Sequence, residues 1–196
     1  DIQKRDYNER DGRLLEHFRD MAELELDLLS KTLQFKNYAL TDDLTLLHNR
    51  KGFSLAAKEL IKSAKRNKAT VYACYFDLDE LKPINDNFGH QVGDEVIKLF
   101  AHHLERTFRE IDIIARFGGD EFVVLLQEVN KLDIVKLINR LQLLIDNNNP
   151  APSLSFSFGY SSINSTNMDI KALENLIKSA DEEMYKNKNA KKSTLE

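Results

Sequence analysis

The stretch that decides the fold is Arg116-Phe117-Gly118-Gly119-Asp120-Glu121-Phe122. Its two glycines separate two runs with the composition of β-strands, residues 111–116 and 122–126, so the pattern predicts a hairpin whose turn uses glycine at positive φ. Two carboxylates follow the glycines, and a carboxylate at a tight turn suits a hard cation such as Mg²⁺. Taken alone, the stretch favours an ordinary surface hairpin with a polar tip.

A second motif lies upstream, over residues 77–94. It reads Asp77-x-Asp79-x-x-Lys82-x-x-Asn85-Asp86, followed by Gly89-His90-x-x-Gly93-Asp94. With both motifs the chain resembles the GGDEF family, the diguanylate cyclases, whose five name letters stand here at residues 118–122. The resemblance covers roughly residues 41–192, and several spaced motifs in the right order are far more specific than one.

The composition is that of a globular protein with one domain and an appendage. The chain has 196 residues, of which 42% are hydrophobic and 31% charged, and a net charge of −4 gives no reason to expect a nucleic-acid partner. The single cysteine allows no disulfide framework, which favours a cytoplasmic location. The first residue is Asp rather than Met, which predicts a fragment whose upstream sensor domain is missing and whose full-length form is open to membrane anchoring.

Residues 1–40 are predicted to form a helical stalk. Apolar residues recur there at intervals of seven, a short coiled-coil pattern, although His17 and Lys31 interrupt the seam. From the pattern alone, a dimerising stalk and an amphipathic helix packed on its own domain are equally supported. The resemblance favours a signalling linker that forms a homodimer. The repeated apolar positions are Leu14, Met21, Leu28 and Phe35.

Residues 41–192 are predicted to form one α/β domain, and residues 193–196 a tail left by an expression vector. Strands alternate with helices around the hairpin, and the resemblance implies a mixed central β-sheet flanked by helices, related to nucleotide cyclases and polymerase palms. Asn49 is expected to cap the first domain helix, and Asp42 to pair with Arg50. Predicted helices span residues 52–67, 92–108, 132–145 and 170–187, and predicted strands 70–76, 111–116, 121–126 and 153–160; residues 188–192 are expected to fray.

The resemblance implies a reaction that joins two GTP molecules into cyclic di-GMP and releases pyrophosphate. It assigns Asp77, Asp120 and the Leu78 carbonyl to two Mg²⁺ or Mn²⁺ ions per site, with Glu121 helping to orient metal or hydroxyl. Asp77 and Asp120 are expected to be catalytic because Mg²⁺ needs few carboxylates when phosphates and water complete its shell. Asp77 taken alone also fits a polar cap at the end of a strand.

The resemblance also implies a set of substrate contacts. Asn85 and Asp94 match the pair that reads guanine, although Asn85 in a turn and Asp94 opening a helix are the structural alternatives. Lys82 matches a phosphate contact. Lys188 and Lys192 match a basic pair near the end of the domain, for which a disordered basic tail is the alternative. The predicted substrate-binding residues are Lys82, Asn85, Asp94, Gly118, Gly119, Lys188 and Lys192.

An Arg-x-x-Asp match at Arg109 and Asp112 predicts a product site. It stands at the family's usual distance before Gly118, and Arg140 is expected to complete it from a neighbouring domain. Bound cyclic di-GMP would then inhibit the enzyme. The main alternative to an active cyclase is a catalytically silent receptor for GTP or cyclic di-GMP, and a third hypothesis is a different nucleotide cyclase on a related fold.

Overall fold

The structure is a computed structural model, and it describes residues 9–128, 134–147 and 154–195. Residues through Ala39 form one compact unit and residues from Leu40 onward form a second. No helix within the described residues is both long enough and apolar enough to cross a membrane.

The described residues form six α-helices and four β-strands. They follow one another as α1 (Glu9–Leu40), α2 (Arg50–Asn67), β1 (Thr70–Leu78), α3 (Leu81–Phe88), α4 (His90–Thr107), β2 (Ile113–Arg116), β3 (Glu121–Glu128), α5 (Ile134–Asn147), β4 (Phe156–Asn164) and α6 (Ile170–Leu195).

The four strands form one sheet in the order β2-β3-β1-β4, with β1 and β3 at its centre. The three strand pairings are antiparallel, and the register sets Asp77 opposite Glu121 on β3 and opposite Ser157 on β4. The one parallel pairing among the described residues is an isolated bridge between His48 and Ala115. The predicted α/β fold, a central sheet flanked by helices, is confirmed.

Alternating side chains of the strands feed two hydrophobic cores, one on each face of the sheet, as period-two patterning requires. Cys74, Phe76 and Leu78 of β1 pack with α3, α4 and α5 on one face. Val71, Ala73 and Tyr75 pack with α2 and α6 on the other. The sheet is therefore a buried layer between two layers of helices, and its functional groups lie at its edges and ends.

The loop between α1 and α2 is held by local capping and by one long-range ion pair. The Asn49 side chain accepts hydrogen bonds from the backbone N–H groups of Lys51 and Gly52 at 2.9 and 3.0 Å, so the predicted cap is confirmed. The predicted Asp42–Arg50 pair is wrong, because Asp42 binds the guanidinium of Arg116 instead, at 3.0 Å. Arg50 lies over the ring of Phe117, 4.8 Å from its centroid.

The same loop carries a strained residue at Leu46, where the family pattern has glycine. Leu46 has a φ of 61° and is 77% exposed. A side chain in the left-handed region costs energy that glycine avoids. Its amide donates to the Asp42 carbonyl at 2.8 Å, which helps to hold this conformation.

Helix α6 runs unusually close to β4, which brings its last turns to the end of the sheet. A Cβ on Gly159 would collide with the α6 backbone at Ala180 and Met184, so only glycine permits this approach. Asn187 then donates to the Phe158 carbonyl at 2.9 Å. Helix α6 continues to Leu195, so the expectation that residues 188–192 fray is wrong.

Candidate active site

The Gly118–Gly119 turn is held by Arg116, the last residue of β2. Its Nε donates to the Gly118 carbonyl at 3.1 Å and its Nη2 to the Gly119 carbonyl at 2.9 Å, while Nη1 binds Asp42. The predicted hairpin is present, but neither glycine adopts positive φ. A Cβ on Gly118 would lie 2.6 Å from an oxygen of the Glu121 carboxylate, so a larger residue there would displace the end of that side chain.

Asp77 and Asp120 are brought together by the pairing of β1 with β3. Asp77 lies in β1 opposite Glu121, the residue after Asp120. The amide of Leu78 donates to the carbonyl of Asp120 at 3.0 Å, which fixes the turn against the end of β1. These backbone contacts set the carboxylates of Asp77 and Asp120 near each other at one end of the two central strands.

The Lys188 ammonium lies against the Asp77 carboxylate, and the two side chains are 23% and 13% exposed. Burial raises the pKa of Asp77 above its usual value; Lys188 opposes this effect, while Asp120 and Asp79 add to it. Burial acts to lower the pKa of Lys188, but Asp77, Asp79 and Asp120 together raise it. Three carboxylates therefore act together on the single ammonium group of Lys188.

The donor set fits a divalent cation that substrate helps to bind. Lys188 already places a positive charge where the carboxylates of Asp77, Asp79 and Asp120 all act on it. Within the described ranges, no three His, Cys, Asp or Glu side chains converge on a point where they would hold a metal ion by themselves. Mg²⁺ is commonly bound by one or two carboxylates, with phosphate oxygens and water completing its shell.

A cavity of about 830 Å³ opens beside these carboxylates. Leu78, Lys82 and Asp120 line it, so the structure brings them to one place with Lys188. The wall also contains Asp79, a motif residue to which the sequence analysis assigned no role, and Lys191, which lies in neither motif. The full lining is Leu78, Asp79, Glu80, Leu81, Lys82, Pro83, Asp120, Ser155, Lys188 and Lys191.

Asp79 and Lys191 pair across the end of the sheet. Asp79 accepts from the Ser157 hydroxyl at 2.7 Å and from the Ser155 hydroxyl at 3.3 Å. Lys191 approaches the same carboxylate at 3.3 Å and also donates to the Phe156 carbonyl. Helical spacing from Lys188 was the signal that would have found Lys191, since positions three apart share a face.

Glu121 is positioned by the α2–α6 face of the sheet. The Tyr75 hydroxyl hydrogen-bonds to the Glu121 carboxylate, and burial together with that carboxylate raises the pKa of Tyr75 well above its usual value. The Tyr75 ring packs edge-on against Phe117 at 6.5 Å, and Phe117 packs edge-on against Phe53 at 4.9 Å. The rings of Phe53 and Tyr75 therefore pack against Phe117, the residue that precedes the Gly118–Gly119 turn.

The two residues predicted to read guanine lie on α3 and α4. Asn85 is half-buried in α3, and its side-chain oxygen fills the space that a Cβ on Gly93 would take. Asp94 is exposed in the first turns of α4. Neither residue lines the cavity beside Asp120, so their role in binding stays a prediction. Lys192 lies in α6, and its side chain is outside the described side chains.

Arg109 and Asp112 lie at the other end of β2, beside a second cavity of about 390 Å³. The Asp112 carboxylate accepts from the backbone N–H of Arg109 at 2.9 Å, and burial raises its pKa above the usual value despite that bond. The Arg109 guanidinium binds Glu128 at 2.9 Å. Arg140 donates to the carbonyl of Arg106 at 2.9 Å and does not line this cavity.

Comparison with known proteins gives the same family. The chain matches the family described as "Diguanylate cyclase, GGDEF domain" over residues 39–194. Response regulator PleD of Caulobacter vibrioides is 40% identical over 105 residues, which cover 54% of this chain and 23% of PleD. Biofilm architecture maintenance protein MbaA of Vibrio cholerae is 32% identical over 204 residues, which cover 99% of this chain and 25% of MbaA. The chain spans about a quarter of the length of these relatives.

A solved structure supports the fold independently. The coiled coil and GGDEF domain of DgcB from Caulobacter crescentus, in complex with c-di-GMP, has a TM-score of 0.76 at 24% identity, covering 90% of this chain and 95% of that chain. The chain therefore belongs to the GGDEF family of diguanylate cyclase domains.

Proposed function

We propose that this chain is a diguanylate cyclase domain that converts two GTP molecules into one cyclic di-GMP and two pyrophosphates. The observation that carries the proposal is the meeting of Asp77 and Asp120 with lysine ammonium groups beside one cavity at the hairpin. Each 3′-hydroxyl oxygen forms a bond to the α-phosphorus of the other nucleotide as the bond to the pyrophosphate breaks. The runner-up is a silent receptor that binds GTP or cyclic di-GMP without turnover.

The chain's own residues bind and orient the nucleotide. Lys82 and Lys188 contact the phosphates, and the Gly118–Gly119 backbone lets the triphosphate lie close to the turn. Asn85 and Asp94 read the guanine edge, since adenine lacks the N–H donors that a carboxylate selects. Glu121, fixed by Tyr75, orients the reacting hydroxyl.

Two Mg²⁺ or Mn²⁺ ions would be held by Asp77, Asp120 and the Leu78 carbonyl. When bound, they supply activation of the attacking oxygen and neutralisation of the charge on the leaving pyrophosphate. The high pKa of Lys188 keeps its ammonium charged at neutral pH. Lys188 is therefore available to move from Asp77 to a phosphate oxygen.

Two domains are needed, because each holds one GTP. Helix α1 supports pairing, since Leu14, Met21 and Leu28 are 54%, 47% and 65% exposed at intervals of seven. Phe35, the fourth position of that pattern, lies outside the described side chains. A paired stalk would raise the effective concentration of one half-site near the other.

Arg109 and Asp112 would bind the product and stop the enzyme when cyclic di-GMP accumulates. About six residues of extended chain separate Asp112 from Gly118, or roughly 20 Å, so a ligand there cannot overlap GTP. The inhibition would be non-competitive. Arg140 would join this site from a neighbouring domain.

The test is incubation with GTP and Mg²⁺ followed by chromatography of the products, with ATP as the control nucleotide. We expect cyclic di-GMP with two pyrophosphates for each molecule formed, and no product from ATP. Sedimentation in the same buffer reports whether the chain is dimeric. A dimer that makes no cyclic di-GMP overturns the proposal, and GTP bound without turnover supports the silent receptor.

A further inference from the structure

The Lys191 side chain reaches the same cavity as Lys188 from the next turn of α6. Its ammonium lies 3.3 Å from an Asp79 oxygen, and the side chain is 52% exposed. Lys191 therefore lines the cavity while remaining accessible to solvent. The ring of Phe156 lies 5.9 Å from the same nitrogen. These contacts hold the long side chain towards the cavity.

Asp79 does not depend on Lys191 for its hydrogen bonds. The Ser157 hydroxyl donates to it at 2.7 Å and the Ser155 hydroxyl at 3.3 Å, and its amide donates to the Ser155 carbonyl at 3.0 Å. At 3.3 Å, the contact with Lys191 is longer than the roughly 2.7–2.9 Å typical of charge-assisted bonds. The contact of Lys191 with Asp79 is therefore long for a charge-assisted bond. The same ammonium also donates to the Phe156 carbonyl, and a more highly charged anion in the cavity would compete with both acceptors.

The charges around the cavity also favour a polyanion together with a cation. The residues lining the cavity include three acidic residues and three lysines: Asp79, Glu80, Asp120, Lys82, Lys188 and Lys191. A metal ion at the carboxylates would release lysines from them. The released ammonium groups then find phosphate oxygens within the same cavity.

We infer that Lys191 is a further contact for the triphosphate of the bound nucleotide, moving from Asp79 to a phosphate oxygen when the nucleotide binds. This inference rests on the proposed function, because it deepens the description of the same site. It gives α6 two phosphate contacts one turn apart, at Lys188 and Lys191.

The experiment compares Lys191→Met with wild type by calorimetry in Mg²⁺. The probes are a GTP analogue with a methylene bridge between the α- and β-phosphates, which cannot release pyrophosphate, and GMP. We expect the affinity for the analogue to fall about tenfold, the low end for losing a hydrogen bond to a charged group, because Lys191 is half-exposed. The affinity for GMP should remain that of wild type, and the thermal midpoint should not change.

Lys186→Met is the matched control, with the same substitution on the same helix. Lys186 is 72% exposed and pairs with Glu183 at 3.3 Å, and it does not line this cavity. It should bind both probes like wild type. Lys191→Arg should recover most of the lost affinity, and KM for GTP should rise in Lys191→Met more than kcat falls.

The outcomes separate the two proposals. Wild type that fails to bind the analogue overturns the proposed function and this inference with it. Equal binding of the analogue by wild type and Lys191→Met overturns this inference alone. A parallel loss of analogue and GMP affinity with a lower thermal midpoint, matched by Asp79→Asn, would show that Lys191 only braces Asp79, and would also overturn it.

Discussion

At the end of the sheet that carries the hairpin turn, the carboxylates of Asp77 and Asp79 are paired with lysines. At the opposite end of β2, the guanidinium of Arg109 is paired with Glu128. Beside the first cavity carboxylates are paired with lysine ammonium groups, and beside the second a guanidinium is paired with a carboxylate. A metal ion would take the place of ammonium at the first, and an anionic ligand would take the place of carboxylate at the second. The two proposed sites therefore differ in the sign of the charge that a ligand would displace.

The test with the largest expected effect removes the carboxylate of Asp120 from the hairpin turn. Asp120→Ala should reduce cyclic di-GMP formation by at least about a hundredfold, since even outer partners of metal ligands change activity about tenfold to a hundredfold. The fold should remain, because Asp120 lies in the turn and little packing depends on it. Product formation measured by chromatography in saturating Mg²⁺ checks this.

Asp146→Ala is the matched control for that substitution. Asp146 is exposed on α5 and accepts from Gln142 at 2.8 Å, so its loss should leave turnover unchanged. Circular dichroism should give the same spectrum for both variants. Turnover of Asp120→Ala at the wild-type rate would show that the metal ligands are elsewhere.

The next test removes the cation from the other end. Arg109→Ala should weaken cyclic di-GMP binding by about tenfold to a hundredfold, the effect of losing a guanidinium contact to a charged ligand. Initial rates should stay near those of wild type, and the slowing of the reaction as product accumulates should disappear. Calorimetry with cyclic di-GMP and full progress curves measure both effects.

Arg66→Ala serves as the control for Arg109→Ala, because Arg66 is exposed in the last turn of α2. Arg66→Ala should keep the wild-type affinity for cyclic di-GMP, and its reaction should still slow as product accumulates. If Arg109→Ala binds cyclic di-GMP like wild type, the Arg-x-x-Asp match is a coincidence and the exchange at this end does not occur.

The Asp42–Arg116 ion pair lines neither cavity, so we expect ligands to leave it intact. It therefore serves as a structural ion pair with which the other two regions can be compared. Asp42→Asn should lower the free energy of unfolding by about 1–2 kcal/mol at neutral pH. Burial acts to raise the pKa of Asp42, but hydrogen bonds from Thr45 and Arg116 bring it below the usual value. The pair's contribution is therefore complete above the ordinary pKa of 3.8 and is lost as the pH falls through the lower folded pKa.

Urea unfolding of wild type and Asp42→Asn at a series of pH values measures this contribution. The two stability curves should lie apart at neutral pH and converge below about pH 4. Addition of GTP analogue or cyclic di-GMP should leave the gap between them unchanged. A gap that stays constant down to low pH would show that the carboxylate charge of Asp42 is not what stabilises the loop.

The smallest effect has the opposite sign. Glu128→Gln removes the anion that covers Arg109, so cyclic di-GMP should bind about twofold to fivefold more tightly, in keeping with the value of an exposed ion pair. Glu182→Gln, which alters an exposed pair with Lys178 at 3.8 Å, is the control and should change nothing. Calorimetry at low and physiological salt measures both; weaker binding by Glu128→Gln would show that Glu128 helps to hold the ligand.

Features that depend on neighbours in sequence were predictable. The β-branched and aromatic residues of β1 predicted the central strand, and the Gly-Gly pair predicted the hairpin. Asn49 was predicted as a cap, and its partners lie two and three residues further along the chain. Helix α3 was missed because it is short and contains Pro83. Proline is tolerated there, since the amides of a first turn have no partner within the helix.

Contacts across the fold were not predictable from local pattern. Asp42 was assigned to Arg50, eight positions away, but its partner Arg116 is 74 positions away. The end of α6 is polar and was expected to fray, yet Lys188 and Lys191 find acceptors on β1 and β4. The motifs selected Lys82, Asp120 and Lys188, which lie together at the cavity. Lys191 was missed because residues 188–192 were expected to fray, whereas α6 continues and places it on the same face as Lys188.

The arrangement of α6 has a consequence for synthesis on the ribosome. Its core residues Leu173, Leu176, Ala180 and Met184 all precede Lys188 and Lys191 in the chain. A nascent chain therefore possesses every strand of the sheet and this buried face before it acquires the two lysines. The core residues of α6 are therefore synthesised before Lys188 and Lys191, the two lysines of α6 that line the cavity.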